Sequence, residues 1–242
     1  MHDSNILDQQ ITRAGFWAAV VGITAGIVQF ILPLDVPGGF EATTAERVAW
    51  LSGNSGSFIL GWANQIVLMV TLSGVWAALA WRAAATSPLA ALLGGSLVAL
   101  ASMAFFINKF MAIWTIPMLA ESISADSSAS EMSALLLPIL NVSIPFSLFT
   151  SIDYLGFWLY SLSGLLITLP LLRGTTASKV AGAMLGLFGV LYQGLIAGVL
   201  IGSITAKEVE GAVAIVALPL PLLMLAAVPV FRSSAKPEPE GE

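Results

Sequence analysis

The sequence predicts an all-α fold, a polytopic membrane helical bundle, and three observations carry that prediction. Long apolar runs recur, each near the roughly 20 residues needed to cross about 30 Å of hydrocarbon. Composition agrees, since 57% of the 242 residues are hydrophobic and 10% are charged, against roughly 25% charged in soluble domains. Basic residues also segregate to alternate loops, as the positive-inside rule requires of a spanning chain. A β-barrel would instead read as alternating segments of about 10 residues.

Taken in order, the first span is expected from Ala14 to Leu34, after the polar "MHDSNILDQQITR" and before "LPLDVPGGFE". That N-terminus has no basic cluster before Arg13 and leads into a run of spanning length, so it reads as a retained helix and not a cleaved leader. The second span runs from Ser57 to Trp81 and stops at Arg82. The third begins near Pro88, where proline suits a first helical turn. Asp153 to Leu172, Ser178 to Ser203 and Gly211 to Phe231 supply the fourth, fifth and sixth. Residues 1–232 are thus expected to form a single transmembrane helical-bundle domain. The charged, proline-rich 233–242 reads as a disordered cytoplasmic tail.

"MSALLLPILNVSIPFSLFTS", 132–151, is apolar enough to suggest a seventh span. Charge decides against it. With six spans and a cytoplasmic N-terminus, the cytoplasmic side receives Arg13, Arg82, Arg173, Lys179, Arg232 and Lys236, and the far side only Arg47 and Lys207. A seventh span would leave Arg13, Arg82 and Lys207 inside and expel Arg47, Arg173, Lys179, Arg232 and Lys236. Pro138 and Pro145 agree, because each removes a helical donor and would break a lipid-exposed helix. The segment is read as a proline-interrupted interfacial or re-entrant element between helices 3 and 4.

Gly182 and Gly186, then Gly194, Gly198 and Gly202, recur at four-residue spacing in the fifth span, and Gly22 and Gly26 in the first. Such faces let helix backbones approach closely, either within the bundle or between copies of the chain.

Ionisable groups inside a membrane are the usual pointer to function, because they are costly there. In "FFINKFMAIW", Lys109 lies about 31 Å along the helix from Pro88, near the far interface. Two readings stand. Its ammonium snorkels into the headgroup region, with Trp114 anchored nearby, or it turns inward and pairs with Asp153, placed at the same level. Asn64 and Gln65, with Thr71 and Ser73 further along, form a second polar constellation, which Gln29, Asn108, Tyr192 and Gln193 are positioned to join. Amides between spans serve either as interhelical hydrogen bonds or as the wall of a small polar pocket. The candidate ligand-binding residues are accordingly Asn64, Gln65, Asn108, Lys109, Asp153 and Gln193.

What the sequence lacks narrows the chemistry. It has no cysteine and a single histidine, His2, so thiolate sites, histidine metal clusters and histidine relays within the bundle are excluded. No phosphate loop, zinc-binding helix or nucleophile elbow is present. A net charge of −5 offers no basic patch for nucleic acid. No enzymatic activity, cofactor or metal is expected, and the expected partners are membrane lipids and a homo-oligomer or larger membrane complex.

The "RAGFWAAVVGITAGIVQFIL" span, the stretch leading to "GSFILGWANQIVLMVTLSGVWAALAW" and the pair "DYLGFWLYSLSGLLITLPLLRGTTASKVAGAMLGLFGVLY" together resemble a bacterial six-helix membrane family catalogued as domain of unknown function 4386. The resemblance covers about residues 11–231, and the 119–151 stretch departs from it. It implies a multi-pass bacterial plasma-membrane protein with no assigned activity and no site residues to carry over. Two functional expectations follow: binding or transport of a small or lipidic ligand along an intramembrane polar seam, or a non-catalytic structural or accessory subunit of a larger membrane complex.

Overall fold

In the computed structural model, which describes residues 2–126 and 128–232, the chain is an all-α bundle. Six helical segments are long and apolar enough to cross a membrane. The helices are α1 (His2–Gln29), α2 (Thr44–Ala83), α3 (Pro88–Ser124), α4 (Ser130–Ile139), α5 (Leu148–Leu172), α6 (Thr176–Leu200), α7 (Ala206–Val216) and α8 (Pro219–Arg232), with one 3₁₀ turn at Gly39–Glu41. The tail 233–242 lies outside the described residues.

The spans form a closed ring. Each packs on its neighbours in the order α1, α2, α3, α5, α6, α8, and α8 returns to α1. Local chemistry sets the helix starts. Thr43 and Glu46 form a reciprocal capping box at α2, with the Thr43 N–H donating to Glu46 Oε2 at 2.8 Å and the Glu46 N–H to Thr43 Oγ1 at 3.3 Å. Ser147 accepts the Thr150 N–H at α5, and Thr175 accepts the Ser178 N–H at α6. Pro88 occupies the first turn of α3.

Several boundaries differ from expectation. The first span stops at Gln29, five residues short of Leu34, and the chain then runs through turns to the 3₁₀ segment. Helix α2 starts at Thr44, well before Ser57, because the capping box nucleates helix in a stretch too polar to register as a span. The fourth span begins at Leu148, ahead of Asp153, which therefore lies inside the helix. The sixth is divided into α7 and α8 by a turn at Ala217 and Leu218, since Pro219 has no N–H with which to continue the ladder. Within 132–151, α4 is ten residues long and carries Pro138, too short to span.

Helix lengths give the molecule two unlike ends. At the helical rise α2 is about 60 Å long and α3 about 55 Å, whereas α5 and α6 are about 37 Å. The α2–α3 hairpin therefore projects past the ring, and α4 and the loops 30–43 and 140–147 gather around it as a cap. One apolar cluster fills the ring around Trp76, Tyr160, Phe188 and Leu223. A second fills the cap around Phe58, Trp62, Ile116, Leu137 and Phe149. Glycines permit the closest contacts. A Cβ on Gly186 would lie 2.9 Å from Thr168 Cγ2, and one on Gly189 2.7 Å from Leu165 Cγ, so the glycine face of α6 is occupied by α5 over this half. Gly194 and Gly202 face open space.

Candidate functional site

The two apolar clusters do not touch at every level of the ring. On α2 the cap cluster ends at Trp62 and the ring cluster resumes at Met69, on α3 the interval falls between Phe105 and Ala112, and on α5 between Phe149 and Tyr160. Asn64, Gln65, Asn108, Lys109 and Asp153 all fall in that interval. Lys109 is 2% exposed and forms an ion pair with Asp153 Oδ1, so it points inward; the snorkelling reading is overturned. Its ammonium lies over two aromatic rings, 5.0 Å from the Phe105 centroid and 5.7 Å from that of Trp62. This arrangement replaces part of the lost hydration of the charge. Asn108 Nδ2 donates to the same Asp153 Oδ1 at 2.9 Å, while Asn108 Oδ1, fully buried, has no hydrogen-bond partner.

The remaining candidates belong to other places. Asn64 Nδ2 donates to Ala25 O at 2.9 Å and to Gln29 Oε1 at 3.0 Å, tying α2 to α1. Gln193 Nε2 donates to Ser161 Oγ at 2.7 Å, and Gln193 Oε1 accepts from Trp158 Nε1 at 3.2 Å, tying α6 to α5. Gln65 is half-buried on α2 and enters none of these bonds. The polar residues therefore form separate clusters and no continuous seam. Deeper in the ring, Ser102 Oγ donates to Ser73 Oγ at 2.9 Å, and Ser73 is hydrogen-bonded to the Tyr160 hydroxyl, a knot linking α2, α3 and α5.

The Asp153 cluster opens onto a cavity. A space of about 230 Å³ at the capped end is lined by Asp35 and Leu34 from the first loop, Trp62 from α2, Ser143 from the 140–147 loop, Thr150, Asp153 and Tyr154 from α5, and Glu210 and Val213 from α7. Three carboxylates thus face it. The cations that balance two of them stand behind the wall. Arg47, 3% exposed, pairs with Asp35 and donates from Nη2 to Gly39 O at 2.8 Å. Ser143 Oγ donates to the other Asp35 oxygen, joining the two loops across the rim. Burial holds the Asp35 carboxyl above its usual range, and the Arg47 hydrogen bond and charge pull it back only in part. An exposed Lys207–Glu41 pair at 2.8 Å brings the start of α7 against the 3₁₀ turn. Trp62 is fixed as a wall by its Nε1–H, which donates to Leu34 O at 2.9 Å.

Arg47 reads from sequence only as a far-side loop charge, and no local pattern singles out Asp35, Glu210, Trp62, Tyr154 or Ser143. Their assembly depends on loops that close over the ring, for which no local pattern exists. The aromatic next to the Asn64 and Gln65 pair was the one available signal. Among the described residues, no group of three His, Cys, Asp or Glu side chains is disposed to hold a metal ion. No family model, curated protein or solved structure matches the chain.

Proposed function

We propose that this chain is a multi-pass membrane protein that binds or moves a small polar ligand through the capped-end cavity that reaches Asp153. The observation that carries the reading is the ion pair itself. A lysine and an aspartate placed in apolar surroundings are costly, yet Asp153 forms the cavity's wall, so the charge is kept where a ligand can meet it. The positive-inside rule supports cytoplasmic termini with the cavity on the opposite side, and the six-helix family resemblance supports a bacterial plasma membrane. The sequence has no cysteine, and its single histidine is His2 at the start of the chain, which favours binding over thiol- or histidine-based catalysis.

Native mass spectrometry of gently extracted protein tests this. A retained small mass that disappears in Val213→Trp, a change that fills the cavity and leaves its carboxylates intact, is the expected result; the same mass in both proteins would overturn it.

A second reading, an accessory subunit, is favoured by the apolar side chains exposed around α4: Met132, Leu135, Ile139 and Phe146, the last two 50% and 68% exposed. A protein partner cross-linked through 132–146 in native membranes, with no retained small molecule, would select it.

A further inference from the structure

Resting on that reading, we infer that the cavity takes a small organic cation, an ammonium or quaternary amine, which competes with Lys109 for Asp153. Four observations converge on this class. The lining carries three carboxylates, Asp35, Asp153 and Glu210, while Arg47 and Lys109 lie outside the lining, so an occupant meets negative charge first. The carboxylates are not clustered as metal ligands are, and Trp62 and Tyr154 also line the space. Carboxylates spaced around aromatic walls suit a cation too large and too weakly hydrated for direct coordination.

The third observation is internal to the chain. Lys109 already places an alkylammonium against Asp153 and over two aromatic rings; the protein thereby holds, covalently tethered, the same chemistry that the cavity would recognise. Both hydrogen bonds to Asp153 converge on Oδ1, and among the described residues none is made to Oδ2, leaving that oxygen for a second donor. The fourth is Asn108 Oδ1, a fully buried acceptor without a donor beside the same carboxylate. Buried acceptors of this kind are nearly always satisfied in native proteins, commonly by a bound water or ion, so the site has room in its hydrogen bonding for a further donor.

Lys109 then acts as a tethered competitor. When the cavity is empty it neutralises Asp153 and keeps the buried charge paired; when a cation enters, the two share or exchange the carboxylate, so binding at the cavity is coupled to the contact between α3 and α5. Nothing covalent changes.

The experiment uses the full chain in detergent or nanodiscs, titrated calorimetrically with choline, with ethanolamine and with the neutral carbon isostere of choline. Expected are saturable binding of at least one of the two cations and none of the isostere over the same range. Asp153→Asn should weaken the cation by about tenfold or more, and Lys109→Met should tighten it by about tenfold, because the competitor is gone. Equal binding of choline and its isostere, binding of neither cation, or a folded Lys109→Met protein with unchanged or weaker affinity each overturns the inference. The comparison of probes on the unaltered chain stands even if both variants fold poorly. A retained natural mass lost in Val213→Trp, together with no binding of either cation, would sink the cation class and leave the cavity reading intact; cation binding unaffected by Val213→Trp would sink the cavity reading.

Discussion

The ammonium of Lys109 and the carboxylate of Asp153 join α3 to α5 in the interval between the two apolar clusters, where the cationic member is 2% exposed. Removing one member of such a pair leaves the other buried without compensation, which costs about 3–5 kcal/mol, whereas neutral replacement of both is often close to neutral. Lys109→Met and Asp153→Asn should each destabilise by several kcal/mol, with the double variant recovering most of the loss. Unfolding in mixed micelles of increasing denaturing detergent reads all three, and additive losses in the double variant would show that the pair is not coupled.

Asn64 is a tie between α1 and α2 and stands apart from the cavity. Asn64→Ala should cost about 1 kcal/mol, the usual scale of an interhelical bond in membranes, and leave choline affinity unchanged. A measurable loss of affinity would place Asn64 in the binding machinery after all.

Gly61 faces the carbonyl of Pro33 so closely that an added Cβ would overlap it. This is the contact that lets the first loop lie on α2 next to Trp62. Backbone cannot yield as a side chain can, so Gly61→Ala should destabilise by about 1–3 kcal/mol and also weaken ligand binding, since Leu34 and Asp35 would move. Gly194→Ala, a change into open space, is the control; equal thermal shifts in detergent for the two variants would refute the packing argument.

Burial holds the Asp35 carboxyl above its ordinary value of 3.8, so the folded protein binds this proton more tightly than the unfolded chain does. The contribution is fully present below the unfolded value and is lost as pH rises through the folded one. Asp35→Asn should remove that slope: the stability difference between wild type and variant should move against wild type on going from acid to neutral pH. Melting temperatures recorded across that range check the sign, and a difference that moves toward wild type would mean that Arg47 outweighs burial.

The spans were legible because hydrocarbon imposes one requirement that can be counted, a sustained apolar run. What that count could not reach has physical causes. The first turns of α2, with Glu46, Arg47, Asn54 and Ser55, lie in the projecting hairpin, where no lipid demands apolarity; the capping box was the readable signal there. The break before Pro219 was readable from the proline. Reading Lys109 as snorkelling assumed that a lysine near an interface finds water sooner than a partner, and its long stem satisfies both outcomes from sequence alone. The alternative reading, a pair with Asp153, rested on both residues lying at one level, and the structure shows that pair; the Asp35–Ser143 link joins residues 108 apart in sequence, and only the closed fold brings them together.

The ring order has a consequence for how the molecule is made. Helix α1 packs on α2 and on α8, the second and the last of the spanning segments to emerge during synthesis. Gly15 and Gly22 lie between α2, at Ala78 and Thr71, and α8, at Phe231 and Met224, so between those two events their α8 side has only lipid or an insertion factor to cover it. Assembly therefore stays open at one seam until α8 arrives, and a stalled chain that stops before Pro219 presents a glycine-lined groove to the bilayer. A membrane factor that recognises unfinished bundles would meet the protein at that groove and not at the capped-end cavity.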